Sequence, residues 1–255
     1  MIIDDLEIKQ FIIDDALTSG GQECCGIIVE KNGKLKAIKC HNSAKNKNKR
    51  FKISRAEINE RAKKDKIVGF YHSHEGNDLS IQDRAVLSKL NLKSIICNSQ
   101  TLEINEFEPD NKISPIVGRP FIAGVLDCVE LVKDFYKKTF NITIPDLTHE
   151  IRTIEWSNFE NDVKSGKYLD WNSKDYQFLL NFYLSNGFVE VGKDNPQDLD
   201  LLLFRFPFCE TPTHVMIFNN DRIIHHPYEQ DSKIEKYSNY YKKYSVNCLR
   251  YKDFL

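Results

Sequence analysis

Residues 66–83 read KIVGFYHSHEGNDLSIQD. The segment 66–73 predicts a strand, and SIQDRAVLSKLN (80–91) predicts a helix with Ser80 as its cap and Asp83 in the first turn. His72 and His74 are two apart at the strand end, so both imidazoles share one face. Two neutral imidazoles converging on one point suit zinc. A strand leading into a helix can bring the Asp83 carboxylate back over the strand end. Two His and one Asp leave a fourth ligand position open for water, and Glu23, before the next strand upstream, is a candidate base for that water. The structural alternative is that S-x-x-D is only a cap. Both readings can hold together, because a cap also fixes where Asp83 points.

Outward from this stretch, elements alternate. Residues 5–18 place Leu6, Phe11, Ile12, Ile13 and Leu17 on a helical stripe. CGIIVE and KLKAIKC predict two strands joined by an Asn32-Gly33 hairpin turn. A helix over 54–64 takes Ser54 as its cap. KSIICNS and TLEINEFE add two strands. KNKNKRFK (45–52) reads as a solvated loop. PDNKISPIVGRP (109–120) has three prolines and no periodicity, which suits a domain boundary. The predicted domains are 1–110 and 118–255.

The second half predicts a helix over 126–139, a poorly patterned middle (140–195) with a helix near 173–185, and then strands at LDLLLFRF, HVMIF, RIIHH and SVNCLRY. The fold class is α+β. Cys128 opens the amphipathic helix, where the dipole and free N–H groups lower a thiol pKa and offer oxyanion donors. The alternative is a core cysteine. A thiolate needs a base, and His214 starts an apolar strand. A two- or four-residue hairpin loop puts His225 on the face of His214; a three-residue loop puts His226 there.

The chain has 255 residues, with Lys+Arg 36 against Asp+Glu 37. That balance argues against a nucleic-acid partner and a polybasic membrane patch. No apolar run approaches the ~20 residues of a membrane span. The acidic start MIIDDLEIKQ lacks signal-peptide features, which predicts the cytoplasm. Seven cysteines without a CxxC pair argue against a disulfide framework.

E-C-C-G-I-I, then Y-H-S-H, five residues and S-x-x-D resemble the JAMM (Mov34/MPN) metalloproteases. The resemblance implies a cytidine-deaminase-like α/β/α domain that binds Zn2+ through His72, His74 and Asp83. It also implies Glu23 as base, Ser80 positioning the tetrahedral intermediate, and a peptide or isopeptide substrate. Members more often have seven residues before the Ser and a Pro where Glu75 stands. G-x-x-D-C-x-x-L-V, a distal His before an apolar strand, and I-I-H resemble the NlpC/P60 cysteine peptidases. That implies a papain-like domain, with Cys128, His214 and His225 acting on cell-wall stem peptides such as D-γ-glutamyl-diaminopimelate links. Many members carry a Tyr near Phe121. JAMM followed by NlpC/P60 resembles the tail-tip assembly protein K family of lambda-like phages, as do GRPF, IIHH, Ser232 and Arg250. This implies tail-tip proteins as partners, and a place in the bacterial host cytoplasm during assembly or in the virion tail. A catalytically silent docking factor is the alternative.

Overall fold

The computed structural model describes residues 1–110, 112–122, 124–147, 177–207 and 211–255. Cys209 and the start of the helix expected near 173 lie outside the described residues. The chain divides into two compact units, Met1–Lys112 and Ile113–Leu255.

In the first unit α1 (Leu6–Thr18) starts behind Asp5, whose carboxylate accepts from the N–H groups of Glu7 and Ile8. β1 (Cys25–Lys31) and β2 (Lys34–Lys39) form a hairpin over Asn32 and Gly33. Both turn residues have positive φ, 51° and 74°, as a two-residue turn of this hand requires. α2 (Arg55–Ala62), β3 (Lys66–His74), α3 (Ile81–Leu90), β4 (Lys93–Asn98) and β5 (Ile104–Phe107) follow. The sheet order is β2-β1-β3-β4-β5. Only β3 and β4 pair in parallel, with α3 as their crossover. A parallel pair needs such a crossover, and it starts where β3 ends.

Strand alternation splits the core. Ile28, Tyr71, Ile95 and Cys97 pack with Ile8 and Ile12 of α1; Cys25, Ile27 and Val29 form a second cluster with Cys40. Gly26 is demanded by packing: a Cβ there would lie 2.2 Å from the Tyr71 ring. Tyr71 thereby reaches Asp15, donating its hydroxyl to Oδ2 at 2.8 Å. The helical stripe expected for α1 is corrected. Leu6 is 78% and Leu17 63% exposed, and the buried face is Ile8, Ile12 and Asp15. Asp15 goes inside because Tyr71 and Lys39 satisfy its carboxylate.

The second unit contains α4 (Cys128–Phe140), α5 (Phe178–Ser185), β6 (Phe188–Val191), β7 (Leu201–Phe204), β8 (His214–Asn219), β9 (Arg222–His225), β10 (Lys233–Lys236), α6 (Asn239–Tyr244) and β11 (Ser245–Tyr251). Its sheet runs β10-β9-β8-β7-β11-β6, antiparallel throughout. Val129, Leu131, Val132 and Tyr136 of α4 pack with Val215, Ile217, Leu201 and Leu203. Leu202, Phe204, Met216, Phe218 and Ile223 form a second cluster with Tyr237. Arg119 and Ser232 exchange main-chain and hydroxyl bonds, and Arg250 grips buried Asp200 with two bonds of 2.8 and 2.9 Å. The motif residues GRPF, Ser232 and Arg250 thus include anchors of the fold. Among the described residues no helix is long and apolar enough to cross a membrane.

Candidate active sites

In the first unit the β1–β3 register pairs Cys25 with His72. Beyond it, Cys24 N–H donates to Ser73 Oγ at 2.9 Å, and Ser73 N–H donates to the Cys24 carbonyl. This carries Glu23 to the level of His74. Ser80 caps α3: its hydroxyl accepts from Asp83 N–H and donates to Asp83 Oδ2 at 2.6 Å. The cap turns Oδ1 to 3.3 Å from His72 Nε2, and Oδ2 lies 4.0 Å from His74 Nε2. Ligand atoms of His72, His74 and Asp83 all fall within 4.8 Å of one another. The five-residue loop before Ser80 therefore does not displace Asp83. Asn98 donates to Asn77, which donates to Glu103, and the loop is held from β4.

The donor set fits zinc. His74 Nδ1 is 2.7 Å from the Glu75 carbonyl, so the ring carries its proton there and turns a lone pair outward at Nε2. His72 Nδ1 and His74 Nε2 are buried with no hydrogen-bond partner. Burial would raise the Asp83 pKa, but His72 and Ser80 hold it down at about 2. Burial, aided by repulsion from Asp83, pushes Glu23 up to about 7.

Two neighbours were not legible in the sequence. The basic loop is solvent-exposed along most of its length, as expected, yet it also reaches the site. Phe51 stacks on His72, with ring centroids 4.3 Å apart. Asn42 donates to the carbonyls of Glu23 and Arg50, tying that loop to the base. An Asn followed at distance by an aromatic carries no local signal for such a contact.

In the second unit Asp127 caps α4, accepting from the N–H groups of Val129 and Glu130, while Gly124 N–H donates to its other oxygen. Cys128 is therefore the first helical residue. Its sulfur lies by the N–H of Val215, the residue after His214. The expectation of a depressed thiol pKa is corrected. Burial pushes the thiol up to about 12, Asp127 pushes the same way, and the N–H groups of Val215 and of the helix start oppose them only in part.

β8 ends at Asn219 and β9 begins at Arg222, which pair across a two-residue loop of Asn220 and Asp221. Both loop residues have positive φ. Even parity places His225 with His214, and His214 Nε2 lies 3.2 Å from His225 Nδ1. His226 alternates away, fully buried and edge-on to Phe121 with centroids 5.3 Å apart. Burial holds His214 well below the usual range and His225 near about 4, so both rings are neutral at pH 7. A neutral thiol and a neutral imidazole base exchange their proton as attack occurs, rather than wait as a formed ion pair.

Similarity to known proteins runs along most of the chain. Tail tip assembly protein K of Escherichia phage N15 is 23% identical over 236 residues, covering 91% of this chain and 89% of its own. Tail tip assembly protein K of Escherichia phage lambda is 27% identical over 190 residues, covering 73% and 82%. A solved Staphylococcus aureus structure, named as similar to lipoprotein, NLP/P60 family, aligns with 96% of this chain and 60% of its own, at 14% identity and a TM-score of 0.32. The NlpC/P60 family model matches residues 118–250. That span is more than half of the chain and contains Cys128, His214 and His225; the chain belongs to the NlpC/P60 family.

Proposed function

We propose that the second unit is a cysteine peptidase in which Cys128 is the nucleophile, His214 its base and His225 the group that orients His214. The observation that carries this is the neutral His214–His225 pair within the span of the NlpC/P60 match, with Cys128 at a helix start beside Val215. The thiol gives its proton to His214 as sulfur attacks the carbonyl carbon, and His214 returns it to the leaving amine. Water then cleaves the thioester. Main-chain N–H groups at the start of α4 suit the oxyanion. The substrate class is cell-wall stem peptides with γ-glutamyl-diaminopimelate links, or a tail protein. Relatives named for tail-tip assembly support tail-tip proteins as partners, and the host cytoplasm or virion tail as the place of action.

We propose also that the first unit is a zinc-dependent peptidase or isopeptidase of JAMM type. His72, His74 and Asp83 would hold zinc, which when bound activates water. Glu23 takes and passes on the proton at its carboxylate. Ser80 holds Asp83 in place, and the resemblance to the JAMM enzymes gives its hydroxyl the further role of positioning the tetrahedral intermediate.

A docking factor without turnover is the second reading, favoured by the raised thiol pKa and by Phe121 where a hydroxyl commonly stands. Incubation with muropeptides decides between them. Turnover should survive a chelator and stop with iodoacetamide or Cys128→Ala. No turnover on muropeptides or tail-tip proteins would favour docking.

A further inference from the structure

The contact between His214 Nε2 and His225 Nδ1 joins two neutral rings, so one must supply an N–H and the other a lone pair. There are two ways to do this. In one, His214 donates from Nε2 and keeps a lone pair at Nδ1, the atom left to take a thiol proton. In the other, His225 donates from Nδ1, and His214 carries its single proton on Nδ1, where it blocks the base.

The choice is made on the far side of His225. There Nε2 is buried without a hydrogen-bond partner and faces Glu235 Oε2 at 3.8 Å. A lone pair aimed at a carboxylate is repelled; an N–H is attracted. The carboxylate therefore favours the proton on His225 Nε2. That makes Nδ1 the acceptor and selects the productive form of His214.

Glu235 is itself held. Tyr241 donates its hydroxyl to Oε2 at 2.7 Å, and Lys233 bonds Oε1. The Tyr241 ring stands edge-on to His225, 5.5 Å between centroids. The groups facing His225 are thus His214 from β8, Lys233 and Glu235 from β10, and Tyr241 from α6. β10 inverts the usual alternation to achieve this. Ile234 is 44% exposed while Lys233, paired with His225, and Glu235 turn inward. Inward charges also protect an edge strand from pairing. That purpose needs no hydroxyl clamped onto the carboxylate beside an imidazole.

We propose that Glu235, clamped by Tyr241, is a positioning residue. It sets the tautomer of His225 and so leaves Nδ1 of His214 free for the Cys128 proton. This rests on the cysteine-peptidase reading.

The test uses the full chain and two readouts: the rate of Cys128 alkylation by iodoacetamide against pH, mapped by mass spectrometry, and histidine tautomers by nitrogen-15 NMR. In the parent, His225 should carry its proton on Nε2. Glu235→Gln, nearly isosteric, should mix the two tautomers and slow alkylation at neutral pH by ~10- to 100-fold, the range seen when an outer-shell partner is lost. Glu235→Asp should restore part of both, and Tyr241→Phe should show a smaller loss in the same direction. An unchanged tautomer together with a rate within ~2-fold in Glu235→Gln overturns the proposal. His214→Ala separates the levels. If it leaves Cys128 alkylation unchanged, the peptidase reading fails; if it slows alkylation while Glu235→Gln does not, only the role of Glu235 fails.

Discussion

The two candidate sites solve opposite electrostatic problems. In the first unit, two carboxyls interact at one place and are driven apart, Asp83 to about 2 and Glu23 to about 7. Negative charge, two imidazole lone pairs and a capped carboxylate are collected there, an arrangement that welcomes a cation. In the second unit burial drives every group toward neutrality: the Cys128 thiol up, the His214, His225 and His226 rings down. Such a site moves one proton between neutral partners and gains nothing from a metal. The end of a central strand beside a capped helix start supports the first chemistry; a helix start packed against a buried strand supports the second.

The largest effect expected from this contrast is a clean crossing of two substitutions. Cys128→Ala should lower hydrolysis by the second unit by ~10³-fold or more and leave zinc binding by the first unit unchanged. A double substitution of His72 and His74 to Ala should abolish zinc binding, measured by competition with a chromogenic chelator, and spare Cys128 alkylation. If removal of zinc slows Cys128 alkylation at constant secondary structure, the two chemistries are coupled and the comparison breaks.

Next in size is the difference between adjacent histidines. His225→Ala should cut turnover by ~10²-fold with the fold intact, since it touches His214. His226→Ala should act instead through stability, because the ring is fully buried against Phe121 and beside Arg119. Equal losses of turnover at equal melting temperature would reverse the assignment.

What could be read in advance was local. The five strands of the first sheet, the Ser80 cap and the His-x-His spacing follow from period and cap chemistry within a few residues. The partnership of His214 with His225 depends on the two residues Asn220 and Asp221 alone. What escaped was tertiary. β10 is not legible because Lys233 and Glu235 turn inward and Ile234 outward, against the pattern that identifies strands. The α1 face was misread because Asp15 is bonded inside while Leu6 and Leu17 are left out. The thiol of Cys128 was misjudged because a helix start favours a thiolate only when burial and a neighbouring Asp127 do not outweigh it.

A pH titration sharpens the contrast further. In the second unit His225 and His226 lie near about 4, below the ~6.5 of an unfolded histidine. Between those values the unfolded chain binds more protons, so stability is full above ~6.5 and is lost as pH falls toward about 4. In the metal-free first unit Glu23 is raised to about 7 from the ~4.3 of an unfolded glutamate. Its contribution is present below ~4.3 and is lost as pH rises through about 7. Asp83 contributes stability that is full above the ~3.9 of an unfolded aspartate and is lost only as pH falls toward about 2. Hydrogen exchange mapped by mass spectrometry, corrected for intrinsic rates, should show β8 and β9 losing protection from pH 7 to 5 while β3 holds or gains. Parallel loss in both units would remove the electrostatic distinction.

The smallest effect tests the loop that the first site borrows. Phe51 covers one face of His72 at 4.3 Å and an interplanar angle of 27°. Phe51→Leu keeps apolar cover but removes the flat surface that holds the imidazole in plane. Aromatic pairs of this kind contribute ~0.5–1.5 kcal/mol beyond their buried area, so melting should shift by only a few degrees. Ring orientation matters more to a ligand than to a core residue, and zinc affinity should fall by ~10-fold. Both quantities come from one sample, by calorimetry and by chelator competition. A drop in stability without any loss of zinc affinity would make Phe51 packing alone. The basic loop would then belong to the fold of the first unit and not to its site.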